Sequence, residues 1–327
     1  MSVFDLPPAL HTEHMEAGAR ATAFVTGAAG FVGTELIKVL VSRGHQVFGL
    51  APSLEAAERV RRAGGKAVMG DFLTPGKWQD DAAADWVFHL PPHPLYSARP
   101  FPKGVPAIAR ERLRIDAHLL DAVAAGPTRR IVYFADASCY GATSERPITE
   151  DTPLEPSARG RYLAPALDRL DGYLVAGLPV VSAFPGWIYG NASWFRKRVI
   201  EPTMAGRRVL QIGAAGPWVS PIHVRDCARA LAHLAEHGEV GGRYFLANSD
   251  AIQLNEFAGT FARLAHRRLR VWRLPSAAAR LVAGPVAADY LRENAVLSNI
   301  RLRGIGFRFK YPTLEQGLQQ ILGALDE

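Results

Sequence analysis

Three glycines at spacings of three, in Gly27-Ala28-Ala29-Gly30-Phe31-Val32-Gly33, are the residues of this sequence best suited to hold a phosphate. The first permits a tight turn, the second lets the backbone approach a pyrophosphate, and the third lets a helix pack closely on a strand. The N-terminus of that helix then faces the anion. The spacing alone is common, and its context makes it informative: 21–26 is a short apolar run, and Phe31, Leu36, Val39 and Leu40 recur at helical spacing. A dinucleotide is the expected ligand. At the end of the second strand an acid would hold a ribose 2′-hydroxyl and an arginine a 2′-phosphate, but the chain has Leu50-Ala51-Pro52-Ser53. With no carboxylate to repel a phosphate and with Ser53 able to donate one hydrogen bond, NAD(P) is expected, leaning to NADP. Asp71, after the third strand, reads either as an adenine contact or as a turn residue.

The elements that must position this turn alternate. Strand-like runs fall at 46–50, 67–69, 86–90, 131–135 and 180–184, with helical stretches at 54–63, 108–125 and 162–176 between them. That order predicts an α/β fold, a Rossmann-type doubly wound parallel sheet. Beyond Gly186 the pattern loosens into helices at 224–236 and 254–266 and a strand at 244–247, the make-up of a smaller C-terminal α/β substrate lobe. The expected organisation is a leader over 1–20, a Rossmann domain over 21–186 completed by a strand from 219–247, and an interwoven lobe over 187–327. Thr313 and Gln316 form a capping box that starts a last helix.

Composition excludes several classes. No apolar run reaches the ~20 residues that span a bilayer, and the leader carries acids and histidines where a secretory signal needs an apolar core; a cytoplasmic protein with no membrane partner is expected. Cys139 and Cys227 have no metal-ligand spacing, so no metal site is expected. The net charge of +7 is scattered in short arginine pairs without interleaved aromatics, which argues against a nucleic-acid partner.

The glycine turn, "GDFL", "DWVFHL", "IVYFADASCYG", "RGRYLAPALD", "GLPVVSAFPGWIYG", "SPIHVRDCARAL" and "IGFRFKYPTLEQGL" stand in the order and spacing of the extended short-chain dehydrogenase/reductase family, the NAD(P)-dependent sugar epimerases and dehydratases, which the chain resembles from about residue 21 onward. The resemblance implies that Gly27, Ala29, Gly30, Phe31, Val32, Gly33, Ser53, Asp71, Phe72, Leu90, Pro91, Pro185 and Gly186 line the cofactor, that the substrate is a small polar or sugar-like molecule, and that a homodimer forms. It also implies a catalytic asparagine, a serine or threonine, a tyrosine, and a lysine four residues after it. Here Tyr162 falls on the tyrosine, Ala166 on the lysine, Asp136 on the serine or threonine, and Arg112 near the asparagine. A phenol with no cation beside it is about one part in a thousand phenolate at pH 7, a poor base. The expectation is therefore a degenerate tetrad rebuilt around Tyr162, Asp136 and Ser138, with Arg159, Arg161 or Arg169 as replacement cations and His93 as a further loop acid/base or a bystander. His223 and Asp226 read as structural, Asp226 helping to start a helix. A catalytically silent dinucleotide-binding protein, an RNA-binding relative, and a non-redox lyase or isomerase using Asp136 stay open beside the enzyme reading.

Overall fold

A computed structural model describes residues 20–91, 105–124, 126–143, 146–157, 160–192, 194–213, 216–275, 278 and 294–325. The expected His93 and Arg159 lie outside these residues, as do nearly all of the leader and most of the Ala- and Leu-rich stretch at 276–291. In chain order the elements begin β1 (Thr22–Thr26), α1 (Phe31–Ser42), β2 (Gln46–Ala51), α2 (Leu54–Arg62), β3 (Lys66–Met69), β4 (Trp86–His89), α3 (Val105–Ala124), β5 (Arg130–Phe134), α4 (Gly160–Val175) and β6 (Val180–Pro185). They continue with β7 (Trp187–Tyr189), α5 (Glu201–Met204), β8 (Arg208–Ile212), β9 (Trp218–Val219), β10 (Pro221–His223), α6 (Val224–His237), β11 (Arg243–Leu246), β12 (Ile252–Gln253), α7 (Glu256–Leu264), β13 (Arg270–Leu274), α8 (Ile300–Gly304) and α9 (Leu314–Gly323).

Seven strands form one parallel sheet in the order β11-β6-β5-β4-β1-β2-β3. The expected Rossmann-like sheet is present, and its order reverses between β1 and β4, the crevice where α/β sheets bind ligands. Successive strand residues feed opposite faces: Val25, Phe88, Val132 and Val181 pack with α1 and α6, and Phe24, Val87, Ile131 and Val180 pack with α3 and α4. Both faces are covered, so the strands read as continuous apolar runs rather than alternating ones. β11 joins the sheet beside β6, some sixty residues later in the chain.

The remaining elements enclose a second core of Tyr189, Phe195, Val199, Phe257, Phe261, Leu318 and Ile321. β8 pairs in parallel with β13 there, a pairing the sequence did not announce. The capping box of α9 forms as expected: Thr313 Oγ1 accepts from Gln316 N–H, and Gln316 Oε1 accepts from Thr313 N–H, both at 3.3 Å. The helix-starting role expected of Asp226 belongs instead to His223, whose Nδ1 accepts from Arg225 N–H. Asp226, fully buried in the first turn of α6, accepts from Lys310 and Tyr311 N–H at 2.8 and 2.7 Å and so ties the C-terminal segment to the sheet. Among the described residues no helix is long and apolar enough to cross a membrane.

Candidate active site

The glycine turn joins β1 to α1 at the switch point. Gly27 has φ +62°, and a Cβ there would stand 2.0 Å from the Leu90 carbonyl oxygen, so only glycine lets the turn lie against the end of β4. Gly30 N–H bonds back to Gly27 O at 2.9 Å and leaves Gly30 as the N-cap of α1, with no side chain capping the helix. A cradle that admits no side chain, opening onto an uncapped helix N-terminus, fits the pyrophosphate of a dinucleotide. Gly33 is buried within the first turn of α1. Ala29, Phe31 and Val32 are partly buried against the core beneath the turn, whereas Leu90 and Pro91 are buried at the end of β4.

Ser53 caps α2, its Oγ accepting from Ala56 N–H at 3.2 Å, and it is exposed. Its own hydroxyl proton remains available to an anion. Glu55, in the first turn of α2, is paired with Arg59 at 2.6 Å. Asp71 closes a turn by accepting from Leu73 N–H at 2.9 Å. The Phe72 carbonyl contacts His118 Nδ1 at 2.9 Å. Pro185 ends β6, and Gly186 N–H bonds to Leu246 O, which sets that turn against β11.

The structure brings the tyrosine helix onto the turn that follows β5. Ala137–Tyr140 form a 3-10 turn capped by Asp136, whose Oδ1 accepts from Ser138 N–H at 2.9 Å. A Cβ on Gly160 would stand 2.0 Å from Ser138 O, so glycine at the start of α4 is what allows this close approach. Ser157 N–H also bonds to Ser138 O. Ser138 is itself 8% exposed, and its Oγ is buried with no hydrogen-bond partner among the described residues. Tyr162, in the first turn of α4, is 38% exposed, and Ala166 at the lysine position is 7% exposed, packed inward. Arg169 is directed over the Tyr173 ring at 5.9 Å, and Arg161 is exposed.

Beneath the switch point lies a charged cluster that the sequence reading did not assemble. Asp116 on α3 accepts from Arg112 Nε–H at 2.7 Å and from the Tyr133 hydroxyl at 2.6 Å, and its Oδ1 lies 2.8 Å from His89 Nε2. His89 Nδ1 lies 2.8 Å from Thr26 Oγ1, and Arg112 Nη2–H donates to the Phe134 carbonyl at 3.0 Å. Burial pushes the Asp116 carboxyl up, but Arg112, His89 and Tyr133 together pull it below the usual carboxylate range. An ionised Asp116 only accepts, so His89 carries its proton on Nε2 and receives the Thr26 hydroxyl proton at Nδ1. Every polar group in the cluster is thus satisfied, and β1, β4, β5 and α3 are locked together at the ends that face the site. Arg112, near the position the resemblance gives to an asparagine, spans from α3 to the end of β5.

Burial keeps His89 neutral, outweighing Asp116. His223 is lowered to about 3, by burial first and by the Arg225 charge second. Both folded-state values lie below the ordinary one, so the unfolded chain binds protons that the folded chain refuses, and stability falls as pH drops below ~6.5. Between pH 7 and pH 5 His223 alone should remove about 2 kcal/mol. Asp116, depressed as a carboxylate, retains its contribution over this range and loses it only at lower pH. Urea midpoints measured from pH 7 to pH 5 should fall steadily, and a flat profile would contradict the neutral buried histidines.

The sequence pattern of the NAD dependent epimerase/dehydratase family matches residues 23–247, more than two thirds of the chain. The chain belongs to that family. The resemblance to extended short-chain dehydrogenases/reductases is thereby borne out, together with the sheet that carries it. An epimerase family protein of Bacillus subtilis is 23% identical over 91% of this chain and 97% of its own length. One from Staphylococcus aureus is 30% identical over 34% of this chain, and the match spans only 37% of that relative's length. A Stigmatella aurantiaca protein described as a 4-hydroxy-2-methyl-3-oxo-4-farnesyl-3,4-dihydroquinoline-1-oxide ketoreductase is 27% identical over 80% of this chain and 78% of its own. Among solved structures, a Bacillus anthracis dTDP-glucose 4,6-dehydratase with NAD has a TM-score of 0.77 at 17% identity, covering 94% of this chain and 97% of that one. A human epimerase family protein with NADPH has a TM-score of 0.74 at 22% identity, covering 92% and 99%. At these identities the structural likeness is one of fold.

Proposed function

We propose that the protein is an NADP(H)-dependent oxidoreductase that reduces the carbonyl of a small polar or sugar-like substrate, with Tyr162 as proton donor and Ser138 as the group that holds the reacting oxygen. The observation that supports this reading is the Ser138 hydroxyl, buried with no partner among the described residues, on the turn against which the tyrosine helix packs. A buried hydroxyl with no protein partner is costly unless a bound group completes it. Asp136 fixes the turn through Ser138 N–H and so aims that hydroxyl.

The missing lysine bears on the form in which Tyr162 acts. With Ala166 packed inward and Arg169 over Tyr173, the described residues place no cation at Tyr162. A phenol in that setting gives up a proton to a developing alkoxide more readily than it removes one from an alcohol. When bound, NADPH would supply the hydride; Tyr162 would give its proton to the carbonyl oxygen as the alcohol forms, and solvent at the exposed phenol would restore it. The ketoreductase relative supports the reductive direction.

For the cofactor, the Ser53 hydroxyl and the N-terminus of α2 suit a 2′-phosphate, and the nearest acid, Glu55, is held by Arg59. Ser53→Asp should weaken NADPH at least tenfold and bring NADH to parity or better, read as the ratio of the two dissociation constants; an unchanged ratio would remove Ser53 from the 2′ site. The reading as a whole is tested by NADPH consumption across a panel of ketones and keto-sugars. Binding without turnover on any of them would favour the second reading, a silent dinucleotide binder, which the buried Ala166 supports.

A further inference from the structure

α6 carries His233, Glu236 and His237, three residues whose spacing puts them on one helical face, and one potential ligand atom from each lies within 4.8 Å of the others. The two imidazole rings stand 4.4 Å apart between centroids. His233 Nε2 is 2.9 Å from the Ile305 carbonyl oxygen. A carbonyl only accepts, so Nε2 bears the proton, the ring is held in place, and the Nδ1 lone pair is left for a metal. This carbonyl-to-imidazole arrangement is the outer support that metal-bound histidines ordinarily have.

Glu236 is oriented in the same way. Arg43 Nη1 pairs with its Oε1 at 2.7 Å, and Oε2 lies 3.7 Å from His237 Nε2. His45 Nε2 lies 4.0 Å from Glu236 Oε1, but His45 Nδ1 accepts from Ala21 N–H, so its proton sits on Nε2 and it faces the carboxylate as a donor rather than a ligand. The His237 side chain is 55% exposed, which leaves an entry path and open positions for water.

We propose that His233, Glu236 and His237 form a three-ligand site for a divalent transition metal, Zn2+ above all, on the last turn of α6. Two imidazoles and one carboxylate select zinc and its neighbours over Mg2+ or Ca2+, which prefer all-oxygen shells. The site is remote from the glycine turn: His45 and Ala21 immediately precede β2 and β1, at the N-terminal ends of the strands, whereas the turn follows the C-terminal end of β1. A metal here staples the end of α6 and does not enter the proposed chemistry, so this inference stands apart from the proposed function.

Calorimetric titration of Zn2+ into the chelator-treated full chain should show a micromolar equivalent. His237→Ala and Glu236→Gln should each weaken it by about tenfold or more. His237 is exposed and Glu236 half-buried, and unchanged thermal melts without metal confirm that the variants fold. NADPH affinity should be the same with and without Zn2+. Zinc affinity unaltered by His237→Ala, or no binding at millimolar zinc, would overturn the assignment.

Discussion

Replacing Asp116 by alanine should destabilise the protein by about 3–5 kcal/mol, the cost of leaving a buried charge without its partner. Arg112 would keep one hydrogen bond, to the Phe134 carbonyl, and lose its counter-charge, while His89 Nε2–H and the Tyr133 hydroxyl would be stranded in the interior. Tyr133→Phe removes only one donor from a carboxylate that retains two others, so it should cost far less, about 1–2 kcal/mol. Tyr133→Phe keeps the ring and its packing, so its loss reads the hydroxyl's bond to Asp116 alone. Urea unfolding of the two variants reads the ordering directly; equal or reversed losses would mean that Asp116 is not the hub. The effect should also reach the site, since the cluster fixes the ends of β1, β4 and β5 that carry the glycine turn and the turn capped by Asp136.

The second large effect is catalytic. Tyr162→Phe should lower kcat for carbonyl reduction about 10²–10⁴-fold, the range a positioned proton donor supplies. NADPH affinity should stay within twofold, because the proposed place of the dinucleotide is the glycine turn. Tyr162 is partly exposed on α4 and packs no core, so the fold should tolerate the change. Installing the missing cation as Ala166→Lys is a sharper comparison. Ala166 is buried, which makes the substitution costly to stability, but in any folded fraction carbonyl reduction and its reverse should both rise, since one transition state serves both directions. A Tyr162→Phe enzyme with full activity would remove the phenol from the chemistry.

Much of this architecture was legible in the chain. The glycine turn announced itself because a tight turn, a close backbone approach and a helix start impose residue types directly. The apolar runs of β4, β5 and β6 and the capping box of α9 were readable for the same local reason. The pairing of β8 with β13 was not, since its partners lie some sixty residues apart and Leu210 and Trp272, which face each other in register, are exposed and blur the alternation. The Asp116 cluster left a faint signal: Asp116, Leu119, Leu120 and Val123 share the apolar stripe of α3, so a carboxylate stood on a core-facing position with an arginine one turn before it. That conjunction marks a buried ion pair. What no spacing could give was the third and fourth partners, His89 and Tyr133, which come from neighbouring strands. The same holds for Ser138: the sequence placed it near the site, and only the approach of Gly160 to its carbonyl shows why the tyrosine helix sits where it does.

The central claim is that this chain holds a dinucleotide at the glycine turn and works on a substrate beside it with a rebuilt set of groups. The most direct test is calorimetric titration of NADPH and NADH into nucleotide-free protein, with Gly27→Val as the control that fills the cradle. The account predicts binding of both with NADPH the tighter, and loss of both in the variant. No binding of either at millimolar concentration, or binding that Gly27→Val leaves intact, would contradict it.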